Sequence, residues 1–518
     1  LSFSQAYGQV TYQAGTPLKI DEDRRLNQIL GSDQTGFYCY RVRYKGQGTD
    51  YFVEKYDNNK QNLLFEKQLE FGNLEYVKIE NVIHLQDGIY VFFRTYEKAK
   101  RKIHLWCTTI QPNGTMSKMK EVLALPARFL EFTHFRIYNN PSELKFLVKL
   151  CQKQTDQMED PFESSFYLIN KTTFATEWVK KVDQQLLKED ESLRFIPLQR
   201  LLGLYFDDNN DIYYATSSFT KKSPEGMQFY NLSLNCLKAG EDKPLALPLE
   251  MEESMRIPDV KFAKQDNHLF VLGFYKNLIE KPGRDFTQCG IFNFTVSLPD
   301  YKLESKSCSD FNPQLSEKLD LTYSHSKHYK YTIDQILKQG ENTYLIGQQY
   351  NTMEYYGQNK SILKSNYMDI IVAKLNSKGE FEWITNLPFR KKMFDLHISK
   401  QYIAYALNDN LYIMYNESAS NAKKISKKDY NPSKLDLPKK EKGTNFTSHA
   451  ISMKDGSLKS GIIFQNKKYC FTPIFEPNVD FYPPEDSQLF CPMPDSSSEI
   501  IIYTEKSGQG QFGKIKIH

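Results

Sequence analysis

Three observations predict an all-β chain folded as a β-propeller, a ring of four-stranded antiparallel units. First, a block of apolar alternating strand, polar turn and second strand recurs, most plainly in Asp369-Ile-Ile-Val-Ala-Lys-Leu-Asn-Ser-Lys-Gly-Glu-Phe-Glu-Trp383. Looser copies are Tyr51–Lys60, Ile103–Gly114 and Phe166–Trp178, and self-similarity at a spacing of roughly 50–70 residues marks a radial or stacked repeat. Second, tight-turn signals such as Asp87-Gly88, Asn139-Asn140-Pro141, Asp266-Asn267 and Asn408-Asp409-Asn410 each separate two apolar runs, as hairpins require of residues that tolerate positive φ. Third, helical periodicity of 3.6 is missing, while the aromatic share of 14% is carried by 34 Tyr and 35 Phe against 3 Trp. Those residues favour half-buried pleated surfaces.

The elements follow in order. After most turn signals comes a strong strand: 89–94, 144–150, 212–216, 269–275, 344–349 and 411–415. A polar loop and the strand–turn–strand block then complete a unit of four strands, a to d. The boundaries fall near 34–72, 73–125, 128–184, 192–250, 255–310, 328–389 and 390–518, after an N-terminal arm over 1–33. Seven blades is the count; eight is the alternative, because the last segment is long enough for two. The first unit looks one strand short, whereas 498–503 and 511–517 are strand-like around a turn at Gly508 and Gly510. Pairing of N- and C-terminal strands is therefore expected to close the ring and remove two open sheet edges.

Charge and cysteines narrow the class. The 67 basic and 63 acidic residues leave a net +4, which gives no ground for nucleic-acid binding, since that needs a clustered basic face. No apolar run approaches the ~20 residues that cross a bilayer, so no transmembrane segment is expected and the chain reads as soluble. At the N-terminus, Leu1-Ser2-Phe3 followed by Ser4-Gln5-Ala6 or Ala6-Tyr7-Gly8 fits the end of a signal peptide; a plain terminus is the other reading. None of the 8 cysteines forms CxxC. Cys289 with Cys308, and Cys470 with Cys491, are candidate disulfides for an oxidising compartment, and buried thiols are the alternative.

Strand order assigns the loops to faces. The a–b and c–d turns emerge on one face of the disc and the b–c and d–a connections on the other. The b–c stretches 152–164, 219–227, 276–285, 351–366 and 417–443 are long, whereas the a–b and c–d turns are short. Long loops on a rigid scaffold often carry function, so a protein partner is expected on the decorated face. Tyr355 and Tyr356 offer paired aromatics of the kind enriched in interface cores, or else pack on their own blade. Lys423, Lys424, Lys427 and Lys428 belong to a basic run that suits an acidic partner or headgroups, or simply a solvated loop. Phe481 and Tyr482 lie in a Pro-stiffened segment that reads as an insertion or a docking peptide.

Chemical motifs are missing: there is no GxSxG, GxxxxGK[ST], HExxH or EF-hand loop. His325 and His328 sit three apart in a polar stretch better read as a linker than as metal ligands. Asp207-Asp208-Asn209-Asn210-Asp211 is too short for a calcium loop and falls where other units have their a–b hairpin. No catalytic residue, metal or cofactor is assigned. The rival reading is a glycan-binding or glycan-cleaving propeller working at the axial funnel.

The stretch Met368–Trp383 resembles the repeat of exported β-propeller proteins of Bacteroidota, in which a D-x-[FIV]-V-x-K-[LY]-[DN] strand, a Gly turn and a Trp-bearing strand recur. One blade matches well and 51–57 and 166–178 match in part. The resemblance implies a non-catalytic partner of a periplasmic or cell-surface assembly, with an outer-membrane protein or a secretion complex as partner. Soluble propellers of this kind include one that plugs the periplasmic opening of the type 9 translocon. No functional residue carries over.

Overall fold

The computed structural model describes residues 10–19, 24–45, 48–126, 133–153, 162–182, 186–189, 194–197, 199–222, 228–241, 243–251, 255–257, 260–277, 288–298, 300–310, 330–356, 361–389, 391–394, 402–421, 444–466, 470–471, 490–493, 496–506 and 509–518. These residues are almost wholly strands and the turns between them. Eight larger sheets are present, and in seven of them four main strands pair in sequence order, with Met255–Arg256 added to His268–Asn277 in one and Lys391–Phe394 to Ser361–Leu375 in another. Those seven blades span 24–68, 78–126, 133–182, 199–249, 255–310, 330–394 and 403–466. A short hairpin, Leu186–Glu189 with Arg194–Pro197, stands between blades 3 and 4.

The eighth blade is made from both ends of the chain. Cys470–Phe471 and Phe490–Met493 pair with Ser496–Lys506, which pairs with Gln509–Ile517. Val10–Lys19 adds on antiparallel as the outer strand, from Val10 opposite Ile517 to Lys19 opposite Gln509, with a register shift between Ala14 and Pro17. The first strand of blade 1, Arg24–Ser32, touches Lys78–Leu85 of blade 2 on one side and Phe490–Met493 of blade 8 on the other. The ring therefore closes through terminal pairing, as the sequence predicts, and the fold is an eight-bladed β-propeller.

Two expectations are corrected. The count is eight blades, because the stretch 390–518 holds two sheets; the inner position of blade 8 is filled by short pieces with no clean alternation. Blade 1 is not one strand short. Its inner strand Arg24–Ser32 carries register shifts at Leu26/Gln28 and Ile29/Gly31, and such bulges break the alternation by which a strand is recognised. The stretch 1–33, read as an arm, thus supplies the outer strand of blade 8 and the inner strand of blade 1; residues 1–9 lie outside the described part.

Both faces of each blade are covered, which is why the second strands read as apolar runs rather than alternations. In Gly88–Glu97 every residue from Gly88 to Thr95 is buried. The seams are aromatic: Phe92 and Phe146 meet edge-on at 5.0 Å between blades 2 and 3, and Phe37 and Phe512 at 4.8 Å between blades 1 and 8.

The recurring sequence block is turn and seam chemistry. Asn376 accepts the N–H groups of Lys378 and Glu380, Asp57 those of Asn59, Lys60 and Asn62, and Asn170 those of Thr172 and Thr173. Each of seven c–d turns holds one left-handed residue: Gln61, Gly114, Phe174, Gly240, Tyr301, Gly379 and Gly456. Most of these touch the preceding blade. Phe174 sits by Tyr90 of blade 2 at 6.5 Å, the Gly379 carbonyl accepts from Ser307 and Ser309 of blade 5, and the Gly456 carbonyl accepts from Thr385 of blade 6. At Gly379 and Gly456 the preceding blade lies flush and leaves no room for a Cβ, whereas large side chains at Phe174 and Tyr301 tolerate a strained φ of 59° and 50°.

Candidate functional site at the seam of blades 6 and 7

The second and third strands of blade 6, Asn342–Tyr356 and Ser361–Leu375, are 15 residues each. Their register shifts between Gln348 and Tyr350, leaving Met368 and Asp369 in the irregular stretch. Asp369 is fully buried there and accepts from Asn386 Nδ2 at 2.9 Å and from the Phe389 N–H at 3.3 Å. The acid of the recurring block is thus a structural cap. Its lysine, Lys374, pairs with Glu382 on the next strand at 2.6 Å.

Blade 7 faces this region with strand b, Asn410–Ser418, and strand c, Thr444–Ser452, which pair without a shift from Asn410 opposite Ser452 to Ser418 opposite Thr444. Alternation places Leu411, Ile413 and Tyr415 on the side toward blade 6, where they share a cluster with Tyr367, Phe389 and Tyr402. The same alternation brings Glu417 to that side at the end of the strand. Phe389 meets Tyr415 edge-on at 5.2 Å, and the Tyr415 hydroxyl donates to the Pro388 carbonyl at 3.1 Å. His449 stacks on Tyr415 at 4.8 Å and shares a proton with Ser460 through Nδ1 at 2.7 Å. Nearer the axis, the Tyr402 hydroxyl donates to Asp334 at 2.6 Å.

Two titratable groups here are buried without a full set of partners. Glu417 is 7% exposed and its Oε1 has no hydrogen-bond partner; His449 is 6% exposed and its Nε2 has none. Burial alone pushes the Glu417 carboxyl up to about 7 and the His449 imidazole down to about 4, because a low-dielectric site disfavours either charged form. The seam therefore holds a buried carboxyl with an unpartnered oxygen on the same strand face as Tyr415, and a buried neutral imidazole stacked on that tyrosine.

The residues singled out from sequence are not among those that form this site in the described part of the chain. Tyr355 and Tyr356 belong to the ladder of the long hairpin, opposite Ile362 and Ser361, so 351–366 is largely paired strand and not a loop. Their side chains, and Lys423, Lys424, Lys427, Lys428, Phe481, Tyr482, His325 and His328, lie outside the described residues. The Cys289–Cys308 pairing is corrected. Cys308 is an exposed thiol opposite Phe292, three positions from Cys289, too far along the strand for a bridge. Cys470 and Cys491 both pair along Ser496–Lys506, opposite Glu505 and Ile501; their side chains are not among those described. Asp207 is a turn residue, accepting from the N–H groups of Asn209 and Asp211 and from Lys264. Glu417 and His449 escaped the sequence reading, although the inward positions 411, 413 and 415 point to 417 as the next.

No family model and no curated protein matches this sequence. Solved structures that it resembles include a polysaccharide lyase, Uly1, at 11% identity and TM-score 0.38, covering 98% of this chain and 99% of that one. The WD40 domain of SCAP from fission yeast gives 6% identity and TM-score 0.33, with 98% of each chain covered. The propeller domain of the trilobed protease from Pyrococcus furiosus gives 8% and 0.36, covering 84% of this chain and 97% of that one. None of these likenesses bears on what the chain binds or does. Among the described residues no group of three or more His, Cys, Asp or Glu side chains is placed to hold a metal ion, and no helix is long and apolar enough to cross a membrane.

Proposed function

We propose that this chain is a non-catalytic interaction platform of the cell envelope, in the periplasm or at the cell surface, that docks to an outer-membrane protein complex through its long-connection face. A protein-secretion translocon plugged by the disc is the assembly that the resemblance of Met368–Trp383 implies, the type 9 system being the example. One observation carries the reading: the longest connections between consecutive, mutually paired strands of a blade, 278–287 and 419–443, both join second to third strands and so leave on the same face. The a–b turns are as short as 86–87, 266–267 and 408–409, while the b–c connections grow to 278–287 and 419–443 and strand pairs of blade 6 lengthen toward the same face. A preformed disc leaves little to order on association, which favours affinity.

Purification of the tagged chain from detergent-solubilised membranes of its native host tests the reading. A stoichiometric outer-membrane partner, lost when 278–287 and 419–443 are replaced by short turns, is the expected outcome. An isolated monomer overturns it.

A further inference from the structure

Among the described residues, four acids are buried: Glu54, Asp207, Asp369 and Glu417. Glu54 takes Arg41 at 2.7 Å together with Arg24 and the Tyr56 hydroxyl, Asp207 takes Lys264 at 2.9 Å, and Asp369 takes Asn386 and the Phe389 N–H. The buried lysines and arginines are matched too: Arg41 with Glu54, Lys55 with Asp33 at 2.8 Å, Lys374 with Glu382, and Arg94 within 2.9 Å of Glu80, in ion-pair range though not in hydrogen-bond alignment. Glu417 alone has neither cation nor donor. A buried carboxyl left so costs free energy and calls for an explanation.

We propose that Glu417, at the mouth of the seam between blades 6 and 7, is the anchor for an arginine or lysine side chain of the protein partner. The proposal rests on the platform reading and deepens it by naming the chemistry the partner must present. Charge complementarity selects the occupant: the site supplies a buried carboxyl oxygen without a donor, two residues along the strand from Tyr415, whose ring meets Phe389 edge-on, and a guanidinium both pairs with a carboxylate and packs on aromatic rings. Glu417 lies one residue from the end of its strand, where 419–443 leaves on the long-connection side.

Association is linked to proton release. The carboxyl is half-titrated near pH 7, and only the ionised form pairs with a cation, so apparent affinity scales with the ionised fraction. The other titratable groups described on the facing elements include His449 and Tyr415 of blade 7, Tyr402 ahead of its first strand, and Asp334, Tyr344, Tyr367, Asp369 and the paired Lys374 and Glu382 of blade 6. His449 stays neutral above about 4, and burial beside Asp334 holds Tyr402 protonated far above neutrality.

The test uses the full chain with acetyl-arginine-amide as probe and acetyl-citrulline-amide as its neutral isostere, followed by NMR titration. The arginine probe is expected to bind at least tenfold tighter than citrulline at pH 8.5 and to weaken about thirty-fold by pH 5.5, with Glu417→Gln erasing both differences. Equal binding of the two probes to the unmodified chain overturns the anchor, and so does unchanged arginine binding by Glu417→Gln. The probe comparison needs no variant, so a variant that fails to fold leaves it decisive. A membrane partner retained equally by the chain and by Glu417→Gln removes the anchor and leaves the platform standing; no membrane partner for either removes the platform.

Discussion

Gly456→Ala isolates how much the ring gains from the turns that key one blade into the next. Gly456 has φ +71° in the c–d turn of blade 7, and a Cβ built there would stand 2.7, 2.8 and 3.0 Å from Cδ2, Cε3 and Cγ of Trp383 in blade 6. The ring cannot easily retreat, since Trp383 packs on Tyr344 at 6.1 Å and borders the blade 6–7 core. The left-handed backbone costs an alanine about 1 kcal/mol, and forcing a methyl into the contact adds about 1–3 kcal/mol. Gly240 supplies the control: it has φ +85° in the c–d turn of blade 4 with nothing within 4 Å of its Cβ position. Gly240→Ala is expected to lose about 1 kcal/mol and Gly456→Ala about 2–4 kcal/mol, read from urea midpoints at matched slope. Trp383→Leu is expected to recover part of the difference in the Gly456→Ala background. Equal midpoints for the two alanine variants would refute the keying of blades through these turns.

Deleting Gln511–His518 removes Phe512, Ile515 and Ile517, each at most 2% exposed, and unpairs the N-terminal strand. A loss above about 5 kcal/mol follows from the apolar burial alone, and a melting temperature that does not move would contradict closure by the termini. Glu54→Gln strands Arg41, 4% exposed, between the Tyr503 and Phe512 rings; about 3–5 kcal/mol is expected in urea unfolding, against less than about 1 kcal/mol for Glu66→Gln at the exposed end of the same network. The third prediction concerns pH. The folded Glu417 carboxyl keeps its proton to about pH 7 and the unfolded one releases it near 4.5, so the native state holds more protons in that window and stability falls as pH rises through it, by about 3 kcal/mol in total. His134 and His449, both pushed down to about 4, act in the opposite sense between about 4 and 6.5. The readout is therefore the difference between Glu417→Gln and the unmodified chain, which is expected to grow in favour of the variant from pH 4.5 to 7 and level off above; a difference flat across that range contradicts a buried, unpaired carboxyl.

The architecture was legible because turn chemistry and strand alternation recur. Asp87-Gly88, Asp266-Asn267 and Asn408-Asp409 all mark a–b turns, and the Asn376–Trp383 block is a turn, a left-handed glycine and a strand with its indole on the next blade's Gly456. The blade count failed where those signals fail. The inner strand of blade 1 is bulged at two points and that of blade 8 is split in two, so neither shows an uninterrupted period of two. The site was less legible for a different reason. Glu417 is exceptional through what it lacks, a counter-charge, and the pairing of Glu54, Asp207 and Asp369 brings together residues distant in sequence, such as Asp207 with Lys264. Alternation could place Glu417 inward; only three-dimensional pairing marks it as the acid left over.

The keying also bears on why one face is free to elaborate. Gln86 N–H to Glu143, Ser142 N–H to Asp208, Lys171 to Asp87 and the strand residue Lys264 to Asp207 join neighbouring blades at their a–b and c–d turns, and the left-handed residues Phe174, Gly379 and Gly456 do the same. All of these lie on the face of the a–b and c–d turns, opposite the long connections 278–287 and 419–443. A ring stitched from that side keeps its geometry when residues are inserted opposite, because loop length itself costs little, about 0.6 kcal/mol for each doubling. The contacts that hold the blades together and the partner face proposed above thus lie on opposite sides, and the unpaired Glu417 carboxyl is tolerated because the ring around it is stitched from the other face.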